Sequence, residues 1–499
     1  MLSATAAIDP AFSVAEVDPR IFGSFVEHMG RCVYTGIYEP DHPTADADGF
    51  RKDAAELVRE LGVPIVRYPG GNFVSGYNWE DGIGPKEERP SRLDLAWRSI
   101  ESNQVGVDDF QRWIRTVDAE TMMAVNLGTR GVDAARSLVE YCNVPSGTAW
   151  SDLRRRNGAE DPHDIKLWCL GNELDGPWQI GHKTAYEYGR LANEAGKAMR
   201  LVDPGIELVA CGSSHSRMPT FGSWEATVLS EAYDTVDYVS LHSYFEERDG
   251  DRDTFLASAV TLDRFIEAVV ATVDHVRAVG RHNKRIHLSL DEWNVWYQSR
   301  FAGERNLEIQ HTPRLIEDQY SVTDAVVVGS LLISMLRHAD RVKIGCMAQL
   351  VNVIAPIRTE PGGPAWRQSI YHPFALTSRH GRGEVLRVEP RGPEHETAGL
   401  GEVPLVDAVA VRNDEGVTLF VVNRHQTEAA SFEVDVRTLT DAETANHIAV
   451  FDEDPDATNS MHEPDRVVPR EMKPPTLDGG RLVVELPALS WNMVQLRRM

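Results

Sequence analysis

Between residues 20 and 384, eight short apolar runs alternate with longer amphipathic stretches. The runs are Ile21–Val26, Pro64–Tyr68, Met122–Leu127, Ile165–Leu170, Ile206–Cys211, Tyr238–Leu241, Ile286–Leu290 and Val342–Met347. Continuous apolar runs of this length suit strands buried on both faces. Helical patterns lie between them: Phe50–Leu61, Val107–Glu120, Val132–Tyr141, Tyr186–Met199, Trp224–Tyr233 and Val322–Leu336. The clearest follows the sixth run, where Leu262, Phe265, Ile266, Val269, Val270, Val273 and Val276 repeat at helical spacing. Strand–helix alternation carried to eight strands predicts a closed (β/α)8 TIM barrel. An open doubly wound sheet usually has fewer strands and a Gly-rich first turn, and no GxGxxG opens the first helix.

From about residue 385 the period shortens to two. Val406–Val411, Val417–Val422, Phe432–Val436, His447–Phe451, Leu482–Leu486 and Met493–Leu496 alternate or run short between turn residues. This predicts a C-terminal antiparallel β-sandwich. Asp452–Gly480, acidic and Pro-rich, reads as a long loop within it. The chain thus divides into residues 1–19, an N-terminal strand segment that must pair somewhere; 20–384, the barrel; and 385–499, the sandwich.

Charge narrows the partners. Lys plus Arg is 51 and Asp plus Glu is 76, a formal net charge of −25. That surface argues against nucleic acid and anionic membrane. Cys32, Cys142, Cys169, Cys211 and Cys346 are odd in number and widely spaced, so buried free thiols are expected rather than disulfides. No CxxC or HExxH pattern signals a metal. The N-terminus MLSATAAIDPAF has no basic or apolar leader pattern, and the stretch Ala325–Leu336 is too short to span a bilayer. A soluble cytoplasmic protein is the expectation.

In such a barrel the active site lies at the C-terminal strand ends. Here those ends carry Glu27 and His28, Gly70-Gly71-Asn72, Asn126, Gly171-Asn172-Glu173, His242-Ser243-Tyr244, Asp291-Glu292-Trp293-Asn294, and Gln349 with Asn352. Acids, amides and aromatics suit a polyhydroxylated ligand. Two facing carboxylates suit glycosidic cleavage, one protonating the leaving oxygen and one attacking, or activating water at, the anomeric carbon. Each residue alone has a plainer reading: Glu as a helix cap, Trp as core, Asn after Gly as a turn. Concurrence favours chemistry, because Glu173 and Glu292 sit in apolar-flanked strand ends, LWCLGNELD and LSLDEWNVW. Strand alternation is expected to turn only one of Asp291 and Glu292 into the barrel mouth.

The segments FGSFVEHMGRCVYTGIYEP, VRYPGGNFVSGYNWEDGIGP, LAWRSIESNQVG, WCLGNELDGPWQIG, SLHSY and DEWNVWY resemble those of family 51 glycoside hydrolases, the α-L-arabinofuranosidases. The resemblance implies a barrel plus a sandwich completed by the N-terminal strand. It implies an exo-acting retaining hydrolase of arabinan- or arabinoxylan-derived oligosaccharides. Glu173 matches the acid/base and Glu292 the nucleophile. Glu27, Asn72, Asn172 and Gln349 match groups that hold the arabinose hydroxyls. Tyr244 matches a tyrosine bonded to the nucleophile, and His242 a histidine beside the acid/base. Trp97, Trp178 and Trp296 fall in segments that line the substrate cleft. No cofactor or metal is implied, and the implied assembly is a homohexamer. Two alternatives stand beside this reading: another retaining glycosidase of the same clan, such as a β-xylosidase or endoglucanase, and a non-catalytic carbohydrate-binding protein. The second should have lost one of the paired acids, and both are present.

Overall fold

A computed structural model describes residues 1–439 and 442–498. Eight parallel strands close into a barrel: β1 (Gly23–Phe25), β2 (Ile65–Tyr68), β3 (Glu120–Ala124), β4 (Leu167–Leu170), β5 (Glu207–Ala210), β6 (Tyr238–Phe245), β7 (His287–Val295) and β8 (Val342–Met347). Each overlaps an apolar run of the sequence. Two strands run further than their apolar runs. β6 continues through His242 and Tyr244, and β7 through Asp291 and Glu292. The polar residues find partners inside the barrel mouth, so the extended backbone continues where hydrophobicity stops.

The helices on the outside are α1 (Lys52–Leu61), α2 (Val107–Thr116), α3 (Val132–Asn143), α4 (Ala185–Val202), α5 (Ser223–Ala232), α6 (Ser258–Gly280), α7 (Val322–Arg337) and α8 (Tyr371–His380). The sequence patterns anticipate the first seven. α8 escapes them because YHPFALTSRH carries a proline in its first turn and few apolar residues. An additional helix, Ala149–Arg156, is mostly polar and held by a Thr148–Ser151 cap. α7 is buried from Val322 to Leu336, for it lies between the barrel and the C-terminal sheets.

The C-terminal region forms two sheets. One orders Ser13–Glu16, Glu384–Leu386, Val406–Asn413, Gly416–Asn423, Ser490–Arg498, Ala442–Val450 and Arg470–Glu471. The other orders Leu2–Ala7, Ala430–Asp435, Arg481–Leu486 and Thr476–Asp478. Leu419, Val421 and Leu496 pack with Ala4, Phe432, Val434 and Val484 in a core separate from the barrel's. The N-terminal segment supplies an edge strand to each sheet. The pairings among the C-terminal strands are antiparallel, as expected, while the first N-terminal strand, Leu2–Ala7, joins parallel to Ala430–Asp435. The expected loop Asp452–Gly480 contains two short strands, Arg470–Glu471 and Thr476–Asp478, which extend the sheets at their edges. All five cysteines are buried and free. Among the described residues no helix is long and apolar enough to cross a membrane.

Candidate active site

The C-terminal mouth of the barrel holds a pocket of about 280 Å³. Nine residues singled out from the sequence line it: Glu27, Asn72, Trp97, Glu173, Trp178, Tyr244, Glu292, Trp296 and Gln349. Asn172 and His242 do not line it. Both are buried beneath its floor and act on groups that do. Of the other strand-end residues, His28 is buried against Glu101 and Tyr68. Asn126 ties its own loop to Tyr77 and Thr129, and Asn352 bonds the Arg31 carbonyl and Thr359. These three serve local structure.

Glu173 leaves β4 with a φ of +43°, in the left-handed region that a glutamate rarely adopts. The turn points its carboxylate inward. Oε1 accepts from His242 Nδ1 at 2.8 Å and Oε2 from Trp178 Nε1 at 2.8 Å. Trp178 itself is 44% exposed and stacks on His215 at the pocket rim.

Glu292 lies across the pocket. Its Oε1 accepts from Arg67 Nη1 at 2.7 Å and its Oε2 from the Tyr244 hydroxyl at 2.8 Å. Burial raises the Tyr244 pKa well above the usual phenol range, and the Glu292 and Glu173 charges add to it. The hydroxyl therefore stays protonated and remains a donor. Gly71 faces this carboxylate so closely that a Cβ there would come within 2.9 Å of Glu292 Oε1.

Only one of the adjacent acids, Glu292, faces the barrel mouth, as alternation predicts, but Asp291 is not turned outward. It and Glu292 both turn into the barrel. Register shifts in the pairing of β7 with β8, between Leu290 and Trp293, and of β6 with β7, between Ser240 and His242, break the strict period of two. Glu292 reaches the pocket, whereas Asp291 lies below and accepts from His242 Nε2 at 3.0 Å. Burial works against a charge on His242, but the Glu292 charge and the bonds to Asp291 and Glu173 outweigh it and raise its pKa well above the ordinary imidazole value.

Glu27 forms the other wall. Its Oε1 accepts from the Phe73 backbone N–H and from Trp97 Nε1, and its Oε2 from Gln349 Nε2 at 3.3 Å. Burial, then the nearby Glu292 charge, push its pKa up to about 8. Asn172 accepts from Arg67 Nη2 at 2.7 Å and donates to Asn72 Oδ1 at 3.2 Å. Trp296 meets Tyr244 edge-on with centroids 5.1 Å apart.

Arg67 is the residue that the motif reading passed over. Its guanidinium joins Glu292 and Asn172 and lies 3.8 Å from Asp291. Burial works against its charge, but Asp291 and Glu292 outweigh it and hold the group charged. The signal was present: an arginine inside the apolar run PIVRY must find buried anions. His215, Arg217 and Gln298, around the rim and outside the barrel strands, carry no strand-end pattern and were not legible in this way.

A parallel barrel with two carboxylates facing each other across its C-terminal mouth, amides and indoles around them, is the construction of a glycoside hydrolase. Residues 57–263 match the α-L-arabinofuranosidase 1 domain, and residues 291–490 the α-L-arabinofuranosidase C-terminal domain. The chain is 59% identical to an intracellular exo-α-(1→5)-L-arabinofuranosidase of Streptomyces lividans, over 99% of this chain and 75% of that one. It is 55% identical to an enzyme of the same description from Halalkalibacterium halodurans, over 99% of both chains. A solved family 51 α-L-arabinofuranosidase from Bifidobacterium longum superposes with a TM-score of 0.95 at 46% identity, over 99% of both chains. The chain belongs to the family 51 α-L-arabinofuranosidases. It is an exo-acting glycosidase that hydrolyses arabinofuranosyl residues.

Proposed function

We propose that this enzyme works by double displacement with net retention, with Glu292 as nucleophile and Glu173 as acid/base. One observation carries the reading. Atoms of Glu173, His242 and Glu292 all lie within 4.8 Å of one another, so an oxygen of each carboxylate stands that close to an oxygen of the other. Retaining glycosidases hold their carboxyl groups about 5–5.5 Å apart and inverting ones about 6.5–9.5 Å, which leaves room for water. Glu292 attacks the anomeric carbon while Glu173 gives its proton to the leaving oxygen. Glu173 then takes a proton from the water that releases the sugar. Arg67 and Tyr244 hold the Glu292 oxygens in place and stabilise the carboxylate before attack.

Glu27, Asn72 and Gln349 are positioned to bond sugar hydroxyls. Asn172 holds Asn72 and Arg67, and so acts on the sugar at one remove. Trp97 orients Glu27, while Trp296 and Trp178 present indole surface to the ring and to the leaving group. The (1→5) linkage acted on by the Streptomyces lividans and Halalkalibacterium halodurans enzymes supports arabinan-derived oligosaccharides as substrate. Their description as intracellular supports a cytoplasmic location, and the family resemblance supports a homohexamer, which sedimentation equilibrium would test. The mechanism is tested by following hydrolysis of an α-L-arabinofuranoside by proton NMR. The first sugar released should be the α anomer; a first-formed β anomer overturns the reading.

A further inference from the structure

Asp291 is 1% exposed, does not line the pocket, and yet is joined to the acid/base through one intervening ring. His242 bonds Asp291 through Nε2 at 3.0 Å and Glu173 through Nδ1 at 2.8 Å. The order matters chemically. A protonated Glu173 has two places for its proton. If Nδ1 is a bare acceptor, the proton settles on Oε1 against the ring and is turned away from the substrate. If Nδ1 carries hydrogen, Oε1 is an acceptor and the proton must sit on Oε2, the oxygen that faces Trp178 at the pocket rim.

We propose that Asp291 is a positioning residue that acts through His242: by accepting Nε2–H with a full negative charge it keeps Nδ1 a donor, and so confines the transferable proton of Glu173 to Oε2. The inference rests on the reading of Glu173 as acid/base. In the step it serves, the Oε2–H bond breaks as the glycosidic C–O bond breaks. The proton goes to the leaving oxygen, a Glu292 oxygen bonds the anomeric carbon, and Glu173 is left a carboxylate with Oε1 still held by His242.

The charges around this chain favour that state. His242 faces Glu173 from the end of β4, and Asp291 and Glu292 from β7, the last at 3.5 Å. Asp175, beyond Glu173, is a further acid within range of its charge. The opposing cation is Arg67 on β2, which lies 3.8 Å from Asp291 but gives its hydrogen bonds to Glu292 and Asn172. Beside Tyr244, which is held neutral, the remaining groups are thiols. Cys169 lies 3.9 Å from Asp291, and burial pushes it, Cys211 and Cys346 up, so they stay uncharged. The Asp291 charge is thus shared between Arg67, which it helps to hold charged, and His242, the imidazole to which it is hydrogen-bonded.

The test is D291N, which keeps shape and removes the charge. His242 should then lose its Nδ1 proton at lower pH, and each tenfold loss of proton affinity costs about tenfold in the productive form above that pH. The basic limb of kcat/KM should move to lower pH. At neutral pH an arabinoside with an alcohol leaving group should lose about tenfold or more, recovering on acidification, while a nitrophenyl arabinoside loses little. An unmoved basic limb with equal loss for both leaving groups, or no loss at all, overturns the proposal. Should D291N not fold, nitrogen NMR of histidine-labelled wild-type protein decides it, with the His242 signals assigned by their absence in H242Q. Both ring nitrogens should carry hydrogen at neutral pH, and a bare Nδ1 overturns the proposal. Failure of the underlying reading looks different, because Glu173→Ala would then itself lack leaving-group selectivity.

Discussion

Glu27, Glu173 and Glu292 are three carboxyls in one pocket, and their surroundings give them different work. Replacing Glu292 with alanine should abolish turnover, for no other group stands where the covalent bond must form. The protein should keep its circular dichroism, since Arg67 retains Asn172 and Asp291 as partners. Glu173→Ala should discriminate. An alcohol leaving group needs the proton, so its hydrolysis should fall roughly 10²–10⁴-fold. A nitrophenolate needs it little, and the glycosyl-enzyme should accumulate and be released by azide as a glycosyl azide of unchanged anomeric configuration. If Glu173 were only a helix cap, the loss would be about 1 kcal/mol of stability, equal for all substrates and indifferent to azide. Glu27 makes a stability prediction. Its pKa rises from an ordinary 4.5 to about 8 on folding, so the fold prefers the protonated form. The associated stability is fully present below about pH 4.5 and is lost as pH rises towards 8, each tenfold difference in proton affinity being worth about 1.4 kcal/mol. Glu27→Gln, titrated by thermal melts against wild type, should remove that decline; parallel curves would disprove the shift. The two acids proposed to be catalytic could be picked out because chemistry and position coincided in short motifs. Asp291 could not be given a part, since its partner His242 is 49 positions away in the chain.

At the scale of elements, α7 and β7 carry the most consequence. α7 is apolar on every side, which its sequence shows plainly, but which surfaces cover it is decided by the fold: α6 on one side and the strands of the large sheet on another. Gly329 sits where it meets that sheet. A Cβ there would stand 2.1 Å from Cδ1 of the fully buried Trp491. In an exposed helix, Gly→Ala gains up to about 1 kcal/mol. Here overpacking against a ring that cannot move costs about 1–3 kcal/mol, so Gly329→Ala should lower the melting temperature. An unchanged or raised value in calorimetry would show that the interface yields. The register shifts in β7 were not legible, because a shift depends on how neighbouring strands pair and leaves no signature in the strand's own composition.

For the whole molecule, the N-terminal segment is a clasp. Leu2–Ala7 edges one sheet and Ser13–Glu16 the other, so residues far from the sandwich in sequence complete both of its layers. Deleting residues 1–17 should expose the edges at Ala430–Asp435 and Glu384–Leu386 and uncover Phe432 and Val434. Lower thermal stability and concentration-dependent association in light scattering are expected. A truncated protein as stable and monodisperse as the full chain would show that the clasp is dispensable. The net charge of −25 belongs to this scale too, since it bears on solubility and leaves the chemistry of a neutral sugar substrate to the pocket.

The sequence by itself determined the barrel, the count of its strands, the sheet region after it and the two acids. Hydrophobic period is a local property, and apolar runs at fixed spacing can be buried in few ways. Tertiary structure alone decided what joins those acids: Arg67 shared between Glu292 and Asn172, His242 bridging Asp291 and Glu173, and a glutamate held at positive φ. The reason is physical. A buried charge must find its partner in space, and in a closed barrel the partners come from strands that the chain visits far apart.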